Sequence, residues 1–336
     1  MKKINIEDAV GRVLGHDVTQ IIPGEYKWPR FKRGHLIREE VLKIGKEHIF
    51  VMELKPGVIH EDDAALRLGK AFAGKNIKIS RPSEGKVTFH SEVNGVLKIN
   101  LPLLHRINLS KNIILSTIHR YSPCLPEMAV GATRIISLTA PERQIKKAVV
   151  WCEKEGPVIE VLPFQKLNIG VVITGNEIFK GRIKDRFDDR VGKKIIDFGS
   201  RIVKKEVVPD DVHQISQALL SFNNDSFDLI LVTGGLSVDP DDVTRDGIRR
   251  AGTKIIFYGT PILPGAMFLY GILGKKPVLG LPACVFYHPA TLFDIIFPRI
   301  LAGDNLTRRE ISLLGHGGYC QACNPCHFPI CPFGKG

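Results

Sequence analysis

No apolar run in this 336-residue chain approaches the length needed to cross a bilayer, which excludes an α-helical membrane span. The N-terminus also lacks the apolar stretch of a signal peptide. Lys2 and Lys3 are followed by Glu7 and Asp8, and a cytoplasmic location is expected. Acidic residues are the minority, 35 Asp and Glu against 47 Lys and Arg, for a net charge of +12. Such a balance can mean nucleic acid. However, the cations are scattered rather than clustered with aromatics, and no nucleic-acid motif occurs. A basic surface that attracts anionic small molecules is the expectation. There is no disulfide framework either. Of seven cysteines, Cys124, Cys152 and Cys284 stand alone as packed thiols, and the other four crowd between Cys320 and Cys331.

What is present supports ordinary globular cores: 44% hydrophobic residues and a mean hydropathy of +0.03. The length implies two or three domains. Residues 1–82 read as a mixed α+β region. An amphipathic helix is predicted from Ile6 to Val18, a polar loop over Pro23–Gly34, a short helix at Glu39–Lys46, a strand at His48–Leu54 and a helix at His60–Ala73. That last helix opens with Glu61, Asp62 and Asp63, which complement its dipole. Residues 83–163 read as a β-rich domain, with a small barrel as one form it can take. Its first two strands flank the hairpin turn signal Asn94-Gly95. Residues 164–303 alternate strand and helix: Leu167–Thr174, Val191–Arg201, Val203–Val208, Asp211–Phe222, Asp228–Thr233, a helix from Asp242, and Lys254–Tyr258. The fold class is therefore α/β, a doubly wound, mostly parallel sheet preceded by the two other regions. Residues 304–336 form a Cys-rich, metal-binding tail.

The most informative stretch is Thr233-Gly234-Gly235-Leu-Ser237 through Asp246. Strand, glycine turn and helix in that order present free backbone N–H groups to a phosphate. The carboxylates Asp239, Asp241 and Asp242 at its mouth would repel a bare anion, so a divalent metal, Mg2+, is expected between them. A second glycine turn, Thr174-Gly175-Asn176-Glu177, also lies at a strand carboxyl end, where ligands bind in such sheets.

These motifs resemble the molybdopterin-binding domain, and in their order the molybdopterin molybdenumtransferases. Thr174-Gly175-Asn176-Glu177-Ile178 stands in place of the family's Thr-Gly-(Asp/Asn)-Glu-(Leu/Ile). Phe187-Asp188-Asp189-Arg190 is the nearest match to Tyr-Asp-(Ser/Thr)-Asn, and Pro209-Asp210-Asp211 matches an Asp-Asp turn. Gly234-Gly235-Leu236-Ser237-Val238 with Asp242 matches the Gly-Gly-x-Ser-Val signature. Pro264-Gly265 and Gly280-Leu281-Pro282 match two further loops. The stretch Glu7–Val18 is similar to the family's opening helix. The resemblance implies that Gly234, Gly235 and Ser237 bind the pterin's terminal phosphate, that Asp242 holds Mg2+, and that Asp188 and Glu177 contact metal or ligand. It further implies a homodimer that takes adenylated or free molybdopterin, inserts molybdate with release of AMP, and serves a molybdenum enzyme or other cofactor-biosynthesis proteins.

Departures favour binding over turnover. The family's Lys-Pro-Gly-Lys-Pro is Leu263-Pro264-Gly265-Ala266-Met267, without either lysine. Its acidic N-terminal loop is replaced by Pro23–Phe31, which contains no aspartate. A non-catalytic carrier or sensor is therefore the alternative. The Gly-Gly-Leu stretch with Asp241-Asp242 and Thr244-Arg-Asp also resembles the competence-damage-inducible family, whose related domain is a nucleotide pyrophosphatase. Finally, Cys320, Cys323, Cys326 and Cys331 form C-x2-C-x2-C-x4-C-P. That spacing favours a [4Fe–4S] cluster, with Zn2+ as the alternative ligand.

Overall fold

A computed structural model describes residues 1–20, 29–224, 226–237 and 242–335. The chain forms two compact units, one from residues 1–118 and 124–161, the other from 119–123 and 162–336.

The first unit holds two separate cores. One gathers Ile6, Leu14, Val18, Ile37, Val41, Ile44 and Val51. The expected helix from Ile6 to Val18 is absent: only Glu7–Ala9 forms a 3-10 turn. The apolar residues that suggested it instead pair as isolated bridges, Val13 with Leu36 and Leu14 with Val51. Gly11, at φ +82°, turns the chain out of a helical path. The second core lies around the helix Glu61–Phe72, whose N-cap His60 accepts from the Asp62 N–H at 3.1 Å. It includes the helices Leu101–Asn108 and Glu142–Glu155 and open sheets rather than a barrel. The strands Lys86–Ser91 and Gly95–Ile99 belong to different sheets, so Asn94-Gly95 is not a hairpin turn.

In the second unit a six-stranded sheet is built from β1 (Asn168–Thr174), β2 (Arg201–Val208), β3 (Leu229–Thr233), β4 (Lys254–Tyr258), β5 (Leu269–Leu273) and β6 (Lys276–Leu281). Its order is β2-β1-β3-β6-β5-β4. The first four in that order are parallel. The hairpin β5–β6 reverses direction at Gly274, so β5 alone runs against the other strands, and β4 pairs antiparallel with it at the edge. Strands β1, β3 and β6 are apolar on both faces because both are covered. Ile169, Val171, Ile173, Leu229, Leu231, Leu279 and Leu281 pack with Phe187, Val191 and the helix Leu292–Leu301. The alternate residues Val172, Ile230, Val232 and Val278 pack with the helices Val212–Ser221 and Thr244–Arg250. The period-2 side-chain alternation of a strand thus feeds two cores, and the sheet is doubly wound.

Candidate functional site

The carboxyl ends of β1 and β3 lie side by side, with Ile173 opposite Thr233, and this brings the two glycine turns together. Both turns need glycine. Gly234 sits at φ +96°, and a Cβ there would lie 2.6 Å from Thr174 Oγ1. Gly235 sits at φ +41°, and its Cβ would meet Thr244 Oγ1 at 2.5 Å. Beneath them is a buried hydroxyl pair. Thr174 Oγ1 donates to the Thr233 carbonyl at 3.0 Å and lies 2.7 Å from Thr244 Oγ1. A carbonyl can only accept, so the Thr174 proton is committed to Thr233 and Thr244 must be the donor between the hydroxyls.

Above this floor opens a cleft of about 330 Å3 lined by Glu177, Lys184, Asp185, Arg186, Asp210, Gly235, Asp242, Phe286 and Tyr287, among others. Asp242 Oδ2 accepts the Ser237 N–H at 2.6 Å and so closes the turn that follows Gly235. Asp210 Oδ2 accepts the Asn176 N–H at 2.8 Å, tying the first glycine turn to the end of β2. Asp185 Oδ1 accepts the Phe187 N–H at 2.9 Å. Among the described residues each of these aspartates is held through one side-chain oxygen, with the second left over for a ligand. The Gly234 N–H continues the ladder toward Leu281, and among the described residues no acceptor is recorded for the amides of Gly235 and Leu236. Successive free N–H groups of this kind form a concavity that suits an anion.

The residues expected at the site separate into two sets. Thr174, Gly175, Glu177, Thr233, Gly234, Gly235, Ser237 and Asp242 come together at the ends of β1 and β3. Gly280 and Leu281 do not form a loop: they end β6, beside Val232 and Thr233, and Pro282 starts the short 3-10 turn that carries Phe286 and Tyr287 to the cleft. Pro264 and Gly265 pack instead on Leu292, whose N–H donates to the Pro264 carbonyl at 3.2 Å. Asp188 is outside the cleft. It lies on the helical turn Asp188–Gly192 and pairs with Lys205 of β2. Asp185, three residues earlier and overlooked in the sequence, supplies the carboxylate there. Asp239 and Asp241 fall outside the described residues. Burial pushes the Cys284 thiol above its ordinary value, which disfavours a nucleophilic role beside the cleft.

Mg2+ keeps several waters and takes one or two carboxylates plus substrate phosphates, so Asp242 and Asp210 are suitable donors for a metal that arrives with a phosphorylated ligand. The tail is a different case. Cys323 and Cys326 are exposed, while Cys320 and Cys331 pack against the sheet core. Among the described residues no three His, Cys, Asp or Glu side chains stand where they could share a metal ion. As arranged, the four thiols do not fit the expected iron–sulfur or zinc site. Their packing separates them: two are drawn onto the core with Phe328 and Phe333, and two remain on the outer turn.

Residues 170–302 match the family model described as "Probable molybdopterin binding domain". Residues 3–53 match a domain of unknown function (DUF8806), and they coincide with the small core around Ile6 to Val51. A protein of Methanocaldococcus jannaschii named as a molybdopterin biosynthesis protein is 30% identical over 173 residues, covering 46% of this chain and 41% of its own length. The molybdopterin molybdenumtransferase of Haemophilus influenzae is 25% identical over 150 residues, 43% of this chain and 37% of that protein. A CinA-like protein of Citrifermentans bemidjiense is 32% identical over 90 residues, 26% of this chain and 22% of its own. The chain thus spans less than half the length of these curated relatives. Among solved structures, the molybdopterin biosynthesis MoeA protein from Pyrococcus horikoshii covers 90% of this chain and 74% of its own at 16% identity and a TM-score of 0.35. That score is low, and the fold rests on the sheet order described above.

Proposed function

We propose, from the membership of residues 170–302 in the molybdopterin-binding domain family, that this protein acts in molybdenum cofactor biosynthesis by binding adenylated molybdopterin and promoting molybdate insertion with release of AMP. The observation that carries the reading is the cleft itself, where two glycine turns meet beside Glu177, Asp185, Asp210 and Asp242. The amides of Gly235 and Leu236 would hold the terminal phosphate. Phe286 and Tyr287 offer aromatic faces for the pterin ring. Asp242 and Asp210 would hold Mg2+ carried in on the pyrophosphate, where the metal supplies Lewis-acid polarisation. The side chains present act by binding, orienting and charge neutralisation, and no protein nucleophile is required.

The test is AMP release from adenylated molybdopterin with Mg2+, with and without molybdate. Molybdate-stimulated release that is lost in Asp242→Asn supports insertion. Tight pterin binding without release refutes it in favour of a carrier or sensor, as the missing lysines around Pro264 would suit. The CinA-like relatives favour a second reading, nucleotide pyrophosphatase activity, which hydrolysis of ADP-ribose would reveal.

A further inference from the structure

Two cations in the cleft have no partner among the described residues. Lys184 and Arg186 line it together with four carboxylates, Glu177, Asp185, Asp210 and Asp242. Among the described residues neither cation forms an ion pair or a side-chain hydrogen bond. On the surface around them Lys194 is paired with Asp294, Lys204 with Glu206 and Lys205 with Asp188, while Arg182, Arg190 and Lys193 are likewise unpaired among the described residues; what sets Lys184 and Arg186 apart is that they line the cleft. Three of the carboxylates are each turned toward a backbone N–H rather than toward these cations: Asp185 to Phe187, Asp210 to Asn176 and Asp242 to Ser237. Both cations are carried on the segment between Gly181 and Phe187. Buried Phe187 anchors it, and the Asp185 side chain pins it by capping the Phe187 N–H. Alternation along this short stretch turns Asp185 toward its cap and leaves Lys184 and Arg186 exposed on either side.

We infer that Lys184 and Arg186 form an anion clamp that grips the phosphate-bearing end of the ligand, supplying the positive charge that the Pro264-Gly265-Ala266 loop lacks. The inference rests on the cofactor reading above for the identity of that ligand. The clamp makes the site selective. With four carboxylates around it, an uncharged heterocycle gains little on entering, whereas a phosphate or pyrophosphate group engages both cations and the amides of Gly235 and Leu236. Arg186 offers a planar fork to two oxygens, and Lys184 a compact point charge. Selection is thus for a heterocycle that carries a terminal phosphate.

The test titrates the whole protein by isothermal calorimetry with two probes, inorganic pyrophosphate and molybdopterin. The variants are Lys184→Gln, Arg186→Gln, the double variant, Arg186→Lys and, as a control outside the cleft, Lys180→Gln. A charge-assisted hydrogen bond corresponds to about a tenfold change in affinity or more. Each single Gln variant should bind both probes about 10-fold more weakly, and the double variant about 100-fold. The double variant should also show a flatter dependence on salt, because fewer charges are screened. Arg186→Lys should stay closer to wild type than Arg186→Gln, and Lys180→Gln should be unchanged. Wild-type affinity for pyrophosphate in the double variant overturns the clamp, as does failure of the wild-type protein to bind pyrophosphate. If the wild type binds pyrophosphate in a Lys184- and Arg186-dependent way but ignores molybdopterin, the clamp stands and the cofactor reading falls.

Discussion

Replacing Thr244 by valine tests the hydroxyl relay beneath the glycine turns. The side chain keeps its shape and loses only the O–H that reaches Thr174 Oγ1 at 2.7 Å. Thr174 cannot compensate by rotating, since its own proton is held by the Thr233 carbonyl at 3.0 Å. All three threonines are at most 2% exposed, so water cannot substitute. Leaving a buried hydroxyl without its donor costs about 1–3 kcal/mol. For a unit of this size that is a drop in Tm of about 2–4 °C per kcal/mol. Thermal unfolding of Thr244→Val, Thr174→Val and the pair forms a double-mutant cycle. A coupling of about 1 kcal/mol or more is expected, because the second substitution removes the group that the first left unpaired. Thr244→Ser keeps the donor and should recover most of the hydrogen-bond loss. Strict additivity, or a Thr244→Val protein within about 0.5 kcal/mol of wild type, would refute the relay.

Further outcomes follow from other parts of the chain. Gly234→Ala places a Cβ against Thr174 in a left-handed backbone, so ligand binding should fall at least tenfold in calorimetry. Burial, with the neighbouring Asp62 charge, raises Glu61 to about 7. A carboxyl raised in the fold favours its neutral form, so stability should decline as pH climbs from about 4.5 to about 7, by at most about 1.4 kcal/mol per pH unit. Glu61→Gln should flatten that decline in pH-dependent melts. Arg299 is 1% exposed, pairs with Asp304 at 2.6 Å and Glu310 at 3.1 Å, and stacks 3.8 Å from the Tyr121 ring. Arg299→Ala takes away the only cation paired with Asp304 among the described residues, leaves Glu310 to Tyr121 and Thr307, and should cost about 3–5 kcal/mol in chemical denaturation. In alkylation followed by mass spectrometry, exposed Cys323 and Cys326 should react first, and Cys124 and Cys152, pushed up to about 11 by burial, only on unfolding. Protection of all four tail thiols until a chelator is added would contradict the arrangement seen here.

The sheet was legible where sequence period and chemistry agreed. Runs such as Ile169–Ile173 and Leu229–Val232 carry no polar side chain, a pattern that only a strand covered on both faces requires. The glycine turns were legible because Gly234 and Gly235 occupy positions no other residue tolerates. Elsewhere the pattern misled. Ala9, Val10, Val13 and Leu14 have helical spacing, yet Gly11 and Gly15 between them serve a tight turn and a close approach to Phe50. The hairpin β5–β6 was hidden because Gly280-Leu281-Pro282 had been matched as a loop rather than as the end of a strand. Asp188 follows from the family match alone, whereas Asp185, capping Phe187 two residues on, belongs to no motif, and only the course of its segment past the cleft marks it.

The cage around Arg299 also governs when this chain can finish folding. Tyr121 donates to Glu310 at 3.2 Å across a separation of 189 residues. A ribosome must therefore release the helix Arg308–Leu313 before residues 119–123 find their place. Contacts this distant in sequence are slow to form. A fragment limited to residues 164–303 would lack both Tyr121 and Glu310, exposing a guanidinium that the whole chain keeps enclosed. The α/β sheet, although it reads as a self-contained repeat of strands and helices, is completed by the earliest and the latest parts of its own unit.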